Sequence, residues 1–222
     1  MKKIILPLFL FFMILSLACS LSGNSNQTIM GSGNMVSETR PVRGFSSIEL
    51  ASSAEVSISI GERESVVVKT DDNILPYIRT NVRGSTLVID TKPGISLNTD
   101  RIQVIVTMKS LQEASLTGSG SITADGLNEK DVKFNLPGSG DITATGTAQM
   151  VTIQLNGSGN IQCGDLQVKS ADVTIKGSGN VTVNASESLV ARIPGSGNIN
   201  YRGNPSNVKQ NVTGSGNIST VP

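Results

Sequence analysis

Apolar and polar residues alternate in short runs along most of the chain, and one arrangement of them recurs. Leu116, Leu136, Leu155, Ile175, Ile193 and Val212 each stand two residues before a Gly-Ser-Gly triplet. Ala114, Phe134, Ile153, Val173, Ala191 and Gln210 stand four before it, and Ile122, Ile142, Ile161, Val181, Ile199 and Ile218 follow the second glycine by two. The residues between are Thr, Ser, Lys, Gln and Asn. Period-two alternation on both sides of a turn predicts two short strands, each burying one face. The triplets begin at residues 118, 138, 157, 177, 195 and 214, intervals of 20, 19, 20, 18 and 19. A second corner is expected near Gly126, Gly146, Gly164 and Gly203.

Strand, corner, strand, corner in about 19 residues describes one coil of a single-stranded parallel β-helix, so the expected class is an all-β solenoid. Nothing recurs at i+3 and i+4, which excludes helical repeats. A propeller blade needs about twice the length. The twelve corner glycines are Gly118, Gly120, Gly138, Gly140, Gly157, Gly159, Gly177, Gly179, Gly195, Gly197, Gly214 and Gly216. Two demands are expected of them: a positive φ at the bend, and absence of a Cβ where rungs about 4.8 Å apart approach. Asn160, Asn180, Asn198 and Asn217 follow the second glycine, with Ser121 and Asp141 as variants. Stacked in register, they would form a column bonded amide to amide.

Residues 45–117 keep the alternation without the triplet. Phe45, Ile48 and Leu50 lead through Ser52-Ser53-Ala54 to Val56, Ile58 and Ile60, the register of a coil whose glycines are replaced. The span 54–118 has room for about three coils with one excursion. The sequence NILPYI at 73–78 predicts one helical turn, and residues 40–45 and 71–80 are candidates to cover the open end of the stack.

The first residues add a location. Met1-Lys2-Lys3 and the apolar run Ile4–Leu17 read as an export signal, too short for a membrane span. Leu15-Ser16-Leu17-Ala18-Cys19 resembles a bacterial lipobox, which implies a lipid on Cys19; Ser16 departs from the aliphatic residue usual there, and Ser16 with Ala18 also suits ordinary signal peptidase and a secreted product. The expected divisions are a signal at 1–18, a tether at 19–28, and a single domain at 29–222, held at the outer face of a bacterial membrane.

Removing Lys2 and Lys3 from 18 basic residues leaves 16 against 17 acidic, a net charge of −1. No basic patch stands out, so nucleic acid is not an expected partner. Histidine is absent. Catalysis would fall to carboxylates, Lys, Arg or Cys163, and Cys163 has the inward register of Ala124, Ala144, Val183 and Tyr201. Asp71-Asp72 could hold a cation but reads first as a polar loop pair; Asp125, Asp131, Asp165 and Asp172 occupy different coil positions. Neither catalytic residues nor a cofactor or metal are therefore expected. Outward Thr152, Gln154, Thr174 and Lys176 offer hydroxyls and amides to a glycan or an envelope protein.

The combination Gly31-Ser32-Gly33-Asn34, Glu38-x-Arg40-Pro41-Val42-x-Gly44-Phe45, DDNILPYIRT, GSTLVIDT and the later triplets resembles the bacterial GIN-domain family of auto-transporter adhesin head domains. The resemblance implies a right-handed parallel β-helix on an exported protein, and supplies no catalytic residues. Three function classes follow. The leading one is a non-enzymatic adhesin-like lipoprotein. The others are a carbohydrate-active enzyme of the β-helix type, which needs at least two carboxylates and one Arg or Lys converging in a groove, and an envelope-stress or assembly factor with a protein partner.

Overall fold

A computed structural model describes residues 27–221. Cys19 and the signal lie outside the described residues. Seventeen strands form: β1 (Gln27–Met30), β2 (Met35–Arg40), β3 (Ser47–Ala51), β4 (Glu55–Ile60), β5 (Ser65–Asp71), β6 (Ile78–Arg83), β7 (Thr86–Thr91), β8 (Ile95–Asn98), β9 (Gln103–Met108), β10 (Glu113–Leu116), β11 (Ser121–Leu136), β12 (Asp141–Leu155), β13 (Asn160–Ile175), β14 (Asn180–Ile193), β15 (Asn198–Arg202), β16 (Asn207–Val212) and β17 (Ile218–Thr220). Fifteen of them join one sheet; β1 and β8 make a separate parallel pair. A single 3-10 turn, Leu75–Tyr77, falls within NILPYI and carries Pro76 in its first turn, where the missing N–H costs nothing. The fold is all-β.

Through the repeat, pairing is parallel and each residue meets its counterpart one repeat away. Ile122, Ile142, Ile161, Val181, Ile199 and Ile218 are successive partners in one column. Phe134, Ile153, Val173 and Ala191 make a second, and Leu136, Leu155 and Ile175 a third. Apart from half-buried Ile218, these residues are buried in one apolar cluster. Burying each large aliphatic side chain contributes about 1.5–3 kcal/mol, so the repeated apolar positions supply the drive to stack.

The second corner differs from expectation. The chain does not leave the strand there; β11 to β14 run for 14–16 residues with register shifts between Ala124 and Leu127, Thr143 and Thr145, and Cys163 and Gln167. Gly126, Gly146 and Gly203 bend at positive φ; Gly164 does not.

Order along the N-terminal stack also departs from order in the chain. Three successive coils between 54 and 118 are not built. The β3–β4 rung lies beside β10 and the start of β11, and β7 and β9 pair on its other side, all in parallel. Val104, Val56 and Ile122 thereby extend the first column. Three antiparallel strands then close that end: β5 on β9, β2 on β5, and β6 on β7. Ile74, Ile78 and Phe45, within the segments expected to cover it, are buried. Arg40 ties the cover together, its Nη2 donating to the Leu75 and Ile78 carbonyls at 3.3 and 3.4 Å. Gln27 and Thr28, expected at the end of a tether, belong to β1 and pair with Ile95 and Ser96.

Candidate functional site

None of the twelve repeat-corner glycines has a positive φ. The expected conformational demand is therefore absent at the Gly-Ser-Gly corners; it falls on the bends at Gly126, Gly146 and Gly203. What the corners require is space. A Cβ on Gly138, Gly157, Gly177, Gly195 or Gly214 would overlap the carbonyl oxygen of the first glycine one corner earlier; one on Gly118 would overlap the Ser52 carbonyl. Gly140, Gly159, Gly179, Gly197 and Gly216 stand in the same relation to the second glycine, and Gly120 to Ala54. The corners bond in series as well: Ser139 N–H donates to Gly118 O, Ser158 to Gly138, Ser178 to Gly157, Ser196 to Gly177 and Ser215 to Gly195, at 2.9–3.2 Å. Bare backbone lies on bare backbone, leaving no cradle for a phosphate.

Beside the corners runs a polar ladder. Asn160 Nδ2 donates to Asp141 Oδ1 at 2.9 Å, Asn180 Nδ2 to Asn160 Oδ1 at 3.1 Å, and Asn198 Nδ2 to Asn180 Oδ1 at 2.9 Å. Asn217 joins through its backbone N–H, which donates to Asn198 Oδ1 at 3.1 Å. The side chains of Asp141, Asn160, Asn180 and Asn198 are thus engaged by their neighbours in the ladder.

Outward positions repeat at rung spacing too. Thr123, Thr143, Gln162, Thr182, Asn200 and Ser219 form one row of register partners. Asn135, Gln154, Thr174 and Arg192 form another, beside Lys133, Thr152 and Asp172. The carboxylates singled out in the sequence stay apart. Asp172 pairs with Arg192 at 2.6 Å, Asp165 with Arg202 at 3.4 Å, and Asp125 accepts from Thr145 Oγ1 at 3.3 Å. Asp131 lines a shallow concavity with Glu129, Lys130 and Lys133. Among the described residues, no three His, Cys, Asp or Glu side chains gather as a metal site. Cys163 is 1 % exposed, and burial pushes its thiol far above the ordinary range, which disfavours the thiolate that a nucleophile needs.

The convergent polar groups lie where the repeat ends. Asp71 and Asp72, adjacent in sequence, part company there. Asp72 is exposed and knits the loop at Gly31–Asn34: it accepts from Ser32 Oγ at 2.5 Å, and its own N–H donates to Asn34 O at 2.9 Å. The Ser32 hydrogen bond, more than any other contact, lowers its pKa. Asn73 completes the knot, accepting from Ser32 N and donating to Met30 O. Asp71 instead turns inward and is 1 % exposed. Its Oδ2 accepts from Thr99 Oγ1 at 3.3 Å, and Arg101 Nη1 stands 3.6 Å from Oδ1, which has no hydrogen-bond donor among the described residues. Gly31 presses against this carboxylate so closely that a Cβ would overlap it. A concavity of about 580 Å³ opens here, its wall including Asp71, Asn98, Thr99, Asp100 and Arg101. Sequence reasoning caught the acidic pair and missed Asn98–Arg101, whose one signal is the lapse of alternation between β8 and β9.

With this geometry in view, residues 44–205 match the family described as "Putative auto-transporter adhesin, head GIN domain". The chain belongs to this family. No curated protein sequence matches the GIN-domain chain. Among solved structures, it is similar to one described as a putative adhesin from Bacteroides fragilis: TM-score 0.72, 22 % identity, covering 87 % of this chain and all of that one. A structure described as a putative lipid binding protein from Parabacteroides distasonis aligns at TM-score 0.54 and 23 % identity, over 88 % of this chain and all of that one. A third, described as a putative adhesin from Parabacteroides merdae, aligns at 0.53 and 20 %, with the same coverage. At these identities the likeness establishes the shared fold of the GIN domain and no activity.

Proposed function

We propose that this GIN domain is a non-enzymatic adhesion module, a parallel β-solenoid of about 19 residues per coil displayed outside the membrane on a lipid attached to Cys19. The observation that carries the reading is the pair of outward rows. Thr143, Gln162, Thr182 and Asn200 repeat one polar side chain per rung along the sheet. Rungs about 4.8 Å apart present hydroxyl and amide groups at a spacing that suits a polymer of similar units, either glycan or an extended protein strand. Each contact is weak, and affinity comes from engaging many at once. The family described as adhesin heads supports the same reading, as does the lipobox-like stretch ending at Cys19.

Two measurements test it. Full-length protein displayed on cells is assayed for retention of purified envelope polymers and of other cells; retention of none removes the adhesion reading. Metabolic labelling with a fatty acid analogue should mark the wild-type chain and leave Cys19→Ser unlabelled, and equal labelling of both rejects the anchor.

A further inference from the structure

We propose that the concavity around Asp71 is a binding subsite for a neutral sugar, recognised through adjacent hydroxyl groups. This rests on the adhesion reading above and names the place and chemistry of one contact. Nothing in the repeat has the character of this cleft. Its carboxylate is almost wholly buried, yet Oδ1 lacks a hydrogen-bond donor among the described residues. A buried acceptor without a donor is costly to maintain. Arg101 relieves it only in part: its Nη1 forms an ion pair with Oδ1 at 3.6 Å, beyond hydrogen-bond reach, and donates to the Gly33 carbonyl at 3.4 Å. Oδ1 is closed to solvent, so a ligand hydroxyl reaches it as the Arg101 side chain, 47 % exposed, swings outward; the hydroxyl then donates to Oδ1 and accepts from the guanidinium.

Charge narrows the ligand class. A metal cation would face the Arg101 guanidinium, and an anion would face Asp71, with Asp100 also on the wall. A neutral ligand with paired donor and acceptor capacity avoids both penalties, and vicinal hydroxyls have that capacity. Asn98 and Thr99 add an amide and a hydroxyl to the wall, while Met30, 69 % exposed, and Leu97 offer apolar surface to the C–H face of a ring. The volume of about 580 Å³ falls in the range of small-molecule clefts. Gly31 is part of the construction, since any side chain there would overlap Asp71 and force the carboxylate from its place.

The test is a set of amide proton–nitrogen correlation spectra of full-length protein in a sugar-free detergent. Methyl α-mannopyranoside, methyl β-galactopyranoside and N-acetylglucosamine are titrated separately, with calcium chloride as a fourth arm. At least one sugar should give saturable shifts at the amides of Gly31, Gly33, Asn98, Thr99 and Arg101. Asp71→Asn should abolish them. Arg101→Gln, at a rim position 47 % exposed, should keep the remaining spectrum and weaken binding about tenfold, the loss of one charge-assisted hydrogen bond. Shifts unchanged in both variants, or no shift with any sugar, overturn the subsite. Saturable shifts with calcium at these amides overturn its neutral-ligand character. Sugar shifts confined to Thr143, Gln162 and Thr182 also overturn it, while leaving adhesion through the polar faces intact. Binding at Asp71 together with no retention of cells or polymers keeps the subsite and removes the adhesion reading.

Discussion

Replacing Gly159 by Ala should destabilise the protein far more than the same change at Gly126, although only Gly126 has the backbone that disfavours alanine. Gly126 sits at φ +69 with open space where a Cβ would stand, so its alanine bears only the left-handed conformational cost of about 1–2 kcal/mol. Gly159 has an ordinary φ, but its Cβ would overlap the Gly140 carbonyl oxygen and lie 2.8 Å from Gly140 C and 3.0 Å from Ser139 C. Those atoms are main chain, held by the rung below, and no rotamer change relieves them. Relief requires parting two rungs. The strain is of the overpacking kind, about 1–3 kcal/mol. Parting the rungs also stretches the Ser158-to-Gly138 and Gly157-to-Leu136 hydrogen bonds, 3.2 and 3.1 Å, each contributing about 1 kcal/mol. The total is about 3–5 kcal/mol. In a chain of this size each kcal/mol lowers the thermal midpoint by about 2–4 °C. Urea unfolding followed by far-ultraviolet circular dichroism compares both variants with wild type, using midpoints, because a stack of repeats need not unfold in one step. A Gly159→Ala variant as stable as Gly126→Ala, or more so, refutes the argument that close backbone approach fixes the corner glycines.

Asn180→Ala breaks the ladder on both sides, losing the bond to Asn160 and the one from Asn198; the expected cost is about 1–2 kcal/mol, read from the urea midpoint, and a neutral result makes the ladder decorative. The thiol of Cys163, buried with its pKa raised by that burial, should ignore an aromatic disulfide reagent in the native state and react fully in denaturant; rapid native labelling contradicts the inward register. Asp72 has a folded pKa below its ordinary 3.8, chiefly through Ser32. Its stabilisation of the Gly31–Asn34 loop is thus complete above about pH 4 and lost as pH falls through the lower folded value. The Ser32 amide shift followed through acid should report that step and lose it in Asp72→Asn; an identical titration in both assigns the step elsewhere.

The repeated region was legible because one local pattern, read twice per repeat, fixes which residues face in and how far away their partners stand. Leu136, Leu155 and Ile175 could be placed in one column from spacing alone. The reason for their corner glycines was half legible: close approach follows from rung spacing, whereas the φ at a bend depends on how sharply the backbone turns, which composition does not encode. Stack order at the N-terminal end was beyond the pattern. Val56 and Val104 have the same alternating surroundings, and nothing local says that the β3–β4 rung slots between β10 and β7. That choice is made by contacts between segments tens of residues apart. The acidic pair illustrates the same divide, since Asp71 and Asp72 are indistinguishable in sequence. Gly31 and Thr99, 40 and 28 residues from Asp71, decide that it is the one enclosed.

Periodicity itself then constrains where chemistry can reside. In an in-register ladder a side chain meets its counterpart from the next repeat, often one of its own kind, as Asn160 meets Asn180 and Thr123 meets Thr143. Such surroundings build rows, and rows suit repeating ligands bound weakly at many points. A site that grips one molecule needs different groups converging from segments that are not repeats of each other. The chain supplies that where β1, β5 and the Asn98–Arg101 loop meet, bringing a buried carboxylate, a hydroxyl and a guanidinium together from residues 71, 99 and 101. On the adhesion reading proposed above, labour is divided by regularity: the faces would recognise the repeat of a polymer, and the irregular end a single unit of it.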